Sequence, residues 1–237
     1  MSEQKLIVAG VIGVLGALTG AWSDHFLMSA AVPVDMIDSW AFFQELMRRV
    51  APNNMRIGHY LGLGSIPLSM FGFWQIYRGF LPAGSRCALP LLWASIAICV
   101  LGVGYHVQLA YIGHGLQLED RLHDTPHVLK MVTEMNQHFA ALIVPLQHLI
   151  VGLLLFVSVW MFGFISTGKT AYPRWAALLS PLCVCSVLYG LSMAIDGPVG
   201  VFLAIAGLNL TSAIVFSIST LIIWKNPAGF VEMPAKP

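Results

Sequence analysis

The chain has 237 residues, of which 57% are hydrophobic and only 10% are charged, and its mean hydropathy is +0.78. A soluble globular domain carries about one quarter charged residues, so this composition excludes that class. The formal net charge is +1 and no long cluster of basic residues occurs, which excludes nucleic acid as an expected partner.

The charged residues are segregated and leave apolar runs of about 18–25 residues, long enough to cross roughly 30 Å of hydrocarbon. The sequence therefore predicts an all-α, polytopic integral membrane protein in a single domain over residues 1–237. The apolar run that follows Lys5 resembles a secretory signal, but we interpret it as a retained first helix. Within it, Gly13, Gly16, Gly20 and Asp24 recur at steps of three and four residues, and this glycine stripe predicts close helix packing. The six predicted transmembrane helices cover approximately residues 6–23, 55–77, 88–116, 131–166, 175–195 and 199–224.

The connection between the first two helices, from His25 to Met55, mixes charged and apolar residues. Its apolar residues recur at helical spacing, a pattern typical of an amphipathic helix that lies on the membrane surface. We expect this interfacial helix to end before Pro52, which begins a Pro-Asn-Asn break.

The distribution of charge predicts the orientation. Six helices place both termini on one side, and there Glu3 and Glu232 oppose a larger set of basic residues: Lys5, Arg78, Arg86, Lys169, Arg174, Lys225 and Lys236. The positive-inside rule then makes the termini cytoplasmic. All eight histidines consequently fall in the outer half of the membrane or at its outer surface. We expect a protein of the cell membrane whose site opens to the extracytoplasmic side.

The hairpin formed by residues 88–116 and 131–166 carries four of these histidines: His106 and His114 on its first helix, and His138 and His148 on its second. On the second helix a stripe recurs at 4-3-4-3-4 spacing, which is typical of the seam of a left-handed helix pair. Its members are Glu134, His138, Ala141, Pro145, His148 and Gly152. We expect this stripe to face the first helix, with His114 level with His138 and His106 level with His148.

One interpretation of the hairpin is a metal site. Glu134 and His138 are four residues apart and share one helix face, and His114 would reach across from the neighbouring helix. Two histidines and one carboxylate suit iron or zinc. Asp24, His59 and Asp196 would then supply further ligands or an acid/base group.

Two other interpretations stay open. His106 and His148 are candidates for the axial ligands of a b-type haem. Alternatively, Asp24, Arg56 and His59 form a polar cluster that works by acid/base chemistry without a metal, with Arg56 binding a carboxylate or phosphate headgroup through its planar fork. A purely structural role, in which the histidines join helices by hydrogen bonds, competes with both. Burial of ionisable groups in a membrane is costly and is more typical of functional sites.

The use of histidines and an aspartate on several helices resembles intramembrane metal hydrolases of the alkaline ceramidase type. Those enzymes carry paired histidines on a late helix, whereas here no late helix carries any. A carboxylate four residues before a histidine, as in Glu134 and His138, also resembles the copper-site helix of particulate monooxygenase subunits. Neither resemblance is close enough to assign a role to a residue.

These patterns predict a membrane enzyme that acts on a lipid-like or other apolar small molecule by metal-assisted hydrolysis or oxidation, with membrane lipids around it. A metal-free isomerase or cyclase is the first alternative. A transporter or binding protein for a small ligand and a haem-b redox subunit are the others. The cytoplasmic half of the helices has almost no titratable groups, and this disfavours transport, which needs polar residues along the whole path.

Overall fold

The structure is a computed structural model of the chain, and it describes residues 2–28, 40–122 and 124–231. The side chains of residues 40–42 and 231 are outside this description. His123 is outside it as well, and so are Glu232 and Lys236, two of the charged residues from which the orientation was predicted. Every regular element within the described ranges is helical, so the predicted all-α class is confirmed.

Nine α-helices follow one another in the described part of the chain. Proline stands in the first turn of α3, α5, α6 and α7, where its missing N–H has no helical partner to lose. Short 3-10 helices cover Leu81–Ala83 and Arg174–Leu179. The α-helices are α1 (Glu3–Leu27), α2 (Trp40–Arg49), α3 (Pro52–Phe80), α4 (Ser85–Glu119), α5 (Pro126–Ser166), α6 (Pro181–Ala194), α7 (Pro198–Ile205), α8 (Gly207–Lys225) and α9 (Ala228–Val231).

Four of these helices, α1, α4, α5 and α8, are long and apolar enough to cross a membrane. The described chain is therefore that of a membrane protein with several transmembrane helices. Helix α3 has 29 residues but is not among the four. Its buried face consists largely of small and polar residues, which lower its hydropathy: Gly58, Gly62, Ser65, Ser69, Gly72, Gln75 and Gly79.

The last two predicted helices are not continuous, and in this respect the prediction was wrong. Within the predicted helix 175–195, the 3-10 helix ends at Leu179 and α6 begins only at Pro181. Proline at position 181 ends the preceding helix, because it has no N–H to donate to the carbonyl four residues earlier. The next helix therefore begins at this residue. The stretch 199–224 is likewise divided, at Ala206, into α7 and α8.

Helix α1 lies at the centre of the packing, against both α3 and α8. Its glycines allow the close approach to α3: a Cβ placed at Gly13 would lie 2.5 Å from the Cα of Gly72, and one at Gly16 would lie 2.7 Å from the Cβ of Leu68. Small residues on one face let two membrane helices approach in this way. The close packing expected from the glycine spacing of the first helix is confirmed.

The buried apolar side chains form two clusters at different levels of the bundle. The first cluster contains Leu6 and Ala17 of α1, Ile76 and Phe80 of α3, and Leu91 of α4, among others. The second cluster comprises Leu27, Met47, Val50, Met55, Leu109, Ile112, Leu116 and Ile143. Each of α1, α3 and α4 passes through both clusters, and the segments between them carry the polar residues described below.

The α4–α5 hairpin is longer than a membrane is thick. With 35 and 41 residues, α4 and α5 are about 52 and 62 Å long at 1.5 Å per residue, against roughly 30 Å of hydrocarbon. The second cluster lies towards the loop end of this hairpin, where α2 packs against α4. The hairpin therefore extends past the hydrocarbon layer.

Helix α2 confirms the predicted helix between α1 and α3, and its contacts are with α4. Nε2 of Gln117 donates hydrogen bonds to the carbonyls of Met47 and Val50, at 3.1 and 2.6 Å. Nη2 of Arg48 lies 2.8 Å from Oε2 of Glu119. These bonds hold α2 on the C-terminal end of α4, and its placement at a membrane surface stays a prediction.

Candidate functional site

Polar side chains from four helices occupy the level between the two apolar clusters. Ser23, Asp24, His59, Tyr105, His106 and Asn209 are referred to below as the polar layer. Ser23 is fully buried, and its Oγ donates a hydrogen bond of 2.7 Å to the carbonyl of Gly58. A Cβ at Gly58 would lie 2.9 Å from that serine's own carbonyl oxygen, so only glycine permits α1 and α3 to meet here.

Asp24 is held from the far side of α1 by α8. Nδ2 of Asn209 donates a hydrogen bond of 2.7 Å to Oδ2 of Asp24. Gly20, one turn earlier on α1, makes room for this amide: a Cβ there would lie 2.5 Å from Oδ1 of Asn209. The glycine stripe of α1 thus leads to a carboxylate with a defined partner and orientation.

His106 brings α4 into the same layer. Its side chain is 9% exposed, and a Cβ at Gly62 of α3 would lie 2.7 Å from its Nδ1. The same Cβ would lie 2.8 Å from Oγ of Ser23. The imidazole, the serine and the glycine therefore meet at one point of contact between α1, α3 and α4.

His59 and His106 each have a ring nitrogen that makes no hydrogen bond in the described part of the chain. Nδ1 of each imidazole is buried and has no hydrogen-bond partner within the described ranges. The two rings are near enough to interact electrostatically. Native structures rarely leave a buried polar atom unpaired, so two in one layer require an explanation.

Tyr105 adds a phenol to the layer. It is half-buried, lies within electrostatic range of Asp24, and its ring is 6.5 Å from that of His106, edge to face. The layer therefore combines a carboxylate, two imidazoles and a phenol, which are the usual groups of acid/base chemistry.

Of the four residues predicted to be catalytic, the structure places Asp24 and His59 in the polar layer. Arg56 lies one turn before His59 on α3, with its side chain exposed. Asp196 is exposed at the turn between α6 and α7, where Gly197 has a φ of 83°. It lines a separate depression with Tyr189 and Ser192.

The residues predicted to bind a metal lie on the surface instead. His114, Glu134 and His138 are all exposed, and Glu134 pairs with Lys130 at 3.9 Å on its own helix. His148, the predicted haem partner of His106, is exposed on α5 while His106 is buried against α3. In the part of the chain that the structure describes, no group of three or more His, Cys, Asp or Glu residues is placed to hold a metal ion.

Glu134 and His138 are exposed because of the way α5 is rotated about its axis. Its buried residues near the loop are Val132, Asn136 and Ile143, and Asn136 packs against Gly115 and donates a 2.7 Å hydrogen bond to Glu119. This face contacts α4, and the stripe of Glu134, His138 and the residues that follow points away from it. The expectation that the stripe forms the hairpin seam was wrong.

Ser23, Tyr105 and Asn209 were not among the site residues predicted from the sequence. A signal for Asn209 was present, because it is a polar residue in an apolar helix and α1 offers glycine spacing that ends at a carboxylate. No spacing within one helix indicates which partner such a residue meets, since Asn209 and Asp24 are far apart in the chain.

Together, the apolar helices define an integral membrane protein, and the polar layer joins residues of α3 to residues of three helices that are long and apolar enough to cross a membrane, α1, α4 and α8. Residues 1–226 match the family of unknown function DUF6796, and the chain belongs to this family. No curated protein matches the chain. No solved structure matches it either.

Proposed function

We propose that the protein is a membrane enzyme that uses the polar layer for acid/base chemistry on a lipid-like or other apolar small molecule. The observation that carries this proposal is the pair of buried, unpartnered Nδ1 atoms of His59 and His106. A polar group of a bound substrate would satisfy both nitrogens. Their position between transmembrane helices favours a substrate that reaches them from the lipid phase.

Four residues of the polar layer, and Arg56 beside it, have definite parts in this proposal. Imidazole exchanges protons near neutral pH, so His59 and His106 would donate a proton to the substrate or remove one. Asp24, oriented by Asn209, would act as the second acid/base group. Arg56, exposed one turn before His59, is positioned to bind an anionic headgroup. Proton transfer within one substrate corresponds to an isomerase or cyclase.

Metal-assisted hydrolysis or oxidation and haem binding remain the competing proposals. Glu134 and His138, one turn apart on α5, would supply two metal ligands. Metal analysis and an absorption spectrum of protein purified without a histidine tag separate the three cases. A transition metal near one equivalent would favour metal assistance, a Soret band would indicate a haem protein, and neither result is expected under acid/base chemistry.

We further propose six membrane crossings with both termini in the cytoplasm. Helix α3 would be the fifth crossing segment beside α1, α4, α5 and α8, because its 29 residues are long enough and it packs on both α1 and α4. Helix α6 would be the sixth. The polar layer would then lie towards the outer face of the cell membrane.

A cysteine in place of Thr125 should react with an impermeant maleimide from outside the cell, and labelling only after lysis would reverse the orientation.

The enzyme proposal is tested with purified protein in lipid nanodiscs that contain a total lipid extract. Lipids and other apolar molecules are compared by mass spectrometry before and after incubation, for the wild type and for Asp24→Asn and His106→Gln. His148→Gln is the matched control, because this histidine is exposed on α5 and is outside the polar layer.

The expected result is a compound that the wild type and His148→Gln convert and that the two layer variants do not. Identical profiles for all four proteins would overturn the enzyme proposal. A compound that co-purifies unchanged with the wild type, and is lost in both layer variants, would also overturn it and would assign a binding protein.

A further inference from the structure

One end of the helix bundle is formed by the starts of α1 and α4 and by the ends of α3, α5 and α8. Nε2 of Gln75, near the end of α3, donates hydrogen bonds to the carbonyl of Leu6 in α1 and to Oγ1 of Thr220 in α8, at 3.0 and 3.1 Å. Nε1 of Trp160, near the end of α5, donates one of 2.8 Å to the carbonyl of Cys87 in the first turn of α4. These contacts bring distant segments of the chain to the same level.

Six basic residues lie at this end, although they are distributed along the sequence from residue 5 to residue 225. Five of them are exposed, and the sixth is half-buried. Within the described ranges, Glu3 is the only acidic residue at this end, and no ion pair joins one of the six to a carboxylate. We call the six residues the basic cluster: Lys5, Arg78, Arg86, Lys169, Arg174 and Lys225.

Arg78 has a donor without an acceptor. It lies in the last turn of α3, and Nε of its guanidinium is buried and has no hydrogen-bond partner among the described residues. A guanidinium keeps its charge in proteins, so it cannot avoid this cost by losing a proton. Its planar fork binds two oxygens of one phosphate at the same time. A phosphate group would therefore supply the acceptor that the described chain does not.

The loop after α5 adds two neighbouring cations to the cluster. The N–H of Ala171 donates a hydrogen bond of 2.9 Å to the carbonyl of Gly79, which attaches this loop to the end of α3. Gly168 has a φ of 72°, and a Cβ there would lie 2.8 Å from Nε of Arg174. Arg174 thus packs across the residue that precedes Lys169, and both cations are exposed.

Two tryptophans indicate the depth of the basic cluster in the membrane. Trp175 and Trp224 are 56% and 65% exposed, and each is the direct neighbour of a cation, Arg174 or Lys225. Exposed tryptophan in a membrane protein is typical of the headgroup level, where the ring meets apolar chains and its N–H meets polar groups. The basic cluster therefore lies where lipid phosphates are, and this favours a lipid over a soluble acidic protein as its partner.

We propose that the basic cluster binds anionic phospholipids, with one lipid phosphate held by Arg78 and another by Lys169 and Arg174. Clustered cations beside membrane-spanning segments attract anionic lipids in this way. Phe71 is exposed on α3 two turns before Arg78 and on the same face, so an acyl chain of the first lipid would pack against it. This site is separate from the polar layer, and the proposal does not depend on the chemistry proposed there.

Native mass spectrometry of the purified, delipidated full-length protein tests this proposal. Phosphatidylglycerol and phosphatidylcholine with the same acyl chains are added in equal amounts, and the bound lipids are counted. Arg78→Gln and the double variant Lys169→Gln/Arg174→Gln each remove part of the cluster. The matched control is Arg121→Gln/Lys130→Gln, which removes two exposed cations from the opposite end of the bundle.

The wild type and the control are expected to bind several-fold more phosphatidylglycerol than phosphatidylcholine, and this preference should fall by about half or more in both cluster variants. An absent preference in the wild type, or an equal fall in the control, would overturn the proposal. The double variant changes only exposed side chains, so it tests the cluster even if Arg78→Gln does not fold.

Two further measurements identify the anion. Glycerol phosphate, which has a phosphate but no acyl chains, is added at millimolar concentration and is expected to leave the bound phosphatidylglycerol in place. Complete displacement would assign the site to a soluble phosphate and overturn the assignment to lipid. Glu232, outside the described residues, is replaced in Glu232→Gln, which should bind as much phosphatidylglycerol as the wild type. A several-fold gain would mean that this carboxylate occupies the cluster, and it would overturn the proposal.

Discussion

Nδ2 of Asn209 lies 2.7 Å from Oδ2 of Asp24, and this hydrogen bond joins the second-to-last α-helix of the described chain to the first. The bond is at the level between the two apolar clusters, where Gly20 leaves the space that the amide occupies. It orients the carboxylate towards α8. The bond therefore serves both the packing of α1 on α8 and the proposed acid/base role of Asp24.

Replacement of Asn209 by leucine tests the structural part of this relationship. In the described part of the chain, Asn209 is the only hydrogen-bond partner of the Asp24 carboxylate. Its replacement leaves this acceptor without a donor inside the protein, which lowers the free energy of unfolding by about 1–3 kcal/mol. We expect a lower midpoint of thermal unfolding in detergent. In the control Ser212→Ala, the lost hydroxyl bonds only to Leu208 in its own helix, so the change should be small. Equal midpoints for the two variants would contradict the role of Asn209.

The contact between α3 and α4 is tested by adding one methyl group. Gly62→Ala places a Cβ 2.7 Å from Nδ1 of His106 and 2.8 Å from Oγ of Ser23, and overpacking of this kind costs about 1–3 kcal/mol. We expect lower thermal stability and a displaced imidazole, and therefore lower activity in the lipid-conversion assay.

Gly64→Ala is the matched control for this contact, since it lies on the same helix and its Cβ would meet nothing within 4 Å. Alanine there is expected to stabilise the helix by up to about 1 kcal/mol, because glycine loses more conformational entropy on folding. If Gly62→Ala is as stable and as active as Gly64→Ala, the three-helix contact at Gly62 is not important for the site.

Local patterns predicted much of the fold. The lengths of the apolar runs identified α1, α4, α5 and α8, and the glycine spacing in α1 predicted its close packing. The breaks at Ser180 and Ala206 were missed. Pro181 marks the first break, but the apolar residues on both sides of it were interpreted as one continuous helix. At Ala206 the chain is apolar on both sides, so hydropathy does not reveal where the helix stops.

The site was predicted only in part, for a reason of helix rotation. A heptad stripe shows which residues of α5 share a face, but a long membrane helix has more than one such face. Asn136 of α5 packs against Gly115 of α4, and this contact turns Glu134 and His138 outwards. The polar layer instead joins residues of four helices, and Asn209 and Asp24 are 185 positions apart. No spacing within one helix carries that information.

Gln117 is one of the side chains that attach α2 to α4, beside the ion pair of Arg48 with Glu119. Gln117→Leu removes both hydrogen bonds to the carbonyls of Met47 and Val50 and leaves these buried acceptors without a donor, at a cost of about 1–3 kcal/mol. We expect faster amide hydrogen exchange in residues 43–50, measured by mass spectrometry, with little change in α8. Arg49→Gln is the control, because its exposed pair with Glu45 contributes only about 0.3–0.5 kcal/mol. Unchanged exchange in Gln117→Leu would show that the Arg48 ion pair and the apolar contacts hold α2 without Gln117.

The loop between α5 and α6 contains a group that makes stability depend on pH. Tyr172 is buried, its hydroxyl lies 2.8 Å from Oγ of Ser219 on α8, and burial raises the pKa of the phenol more than this hydrogen bond lowers it. The unfolded chain loses the phenol proton near pH 10. Above that pH the folded chain still holds the proton, so the folded state binds more protons than the unfolded one and the free energy of unfolding falls as pH rises.

The variant Tyr172→Phe isolates this contribution. At neutral pH it is expected to lower the free energy of unfolding by about 1 kcal/mol, through loss of the hydrogen bond to Ser219. Above pH 10 the difference from the wild type should shrink, because phenylalanine has no proton to lose while the wild type pays for keeping Tyr172 neutral in the fold. Unfolding midpoints from pH 7 to pH 11 measure this, with Tyr111→Phe, an exposed tyrosine of α4, as the control. A difference that stays constant with pH would mean that the phenol of Tyr172 is not kept protonated by burial.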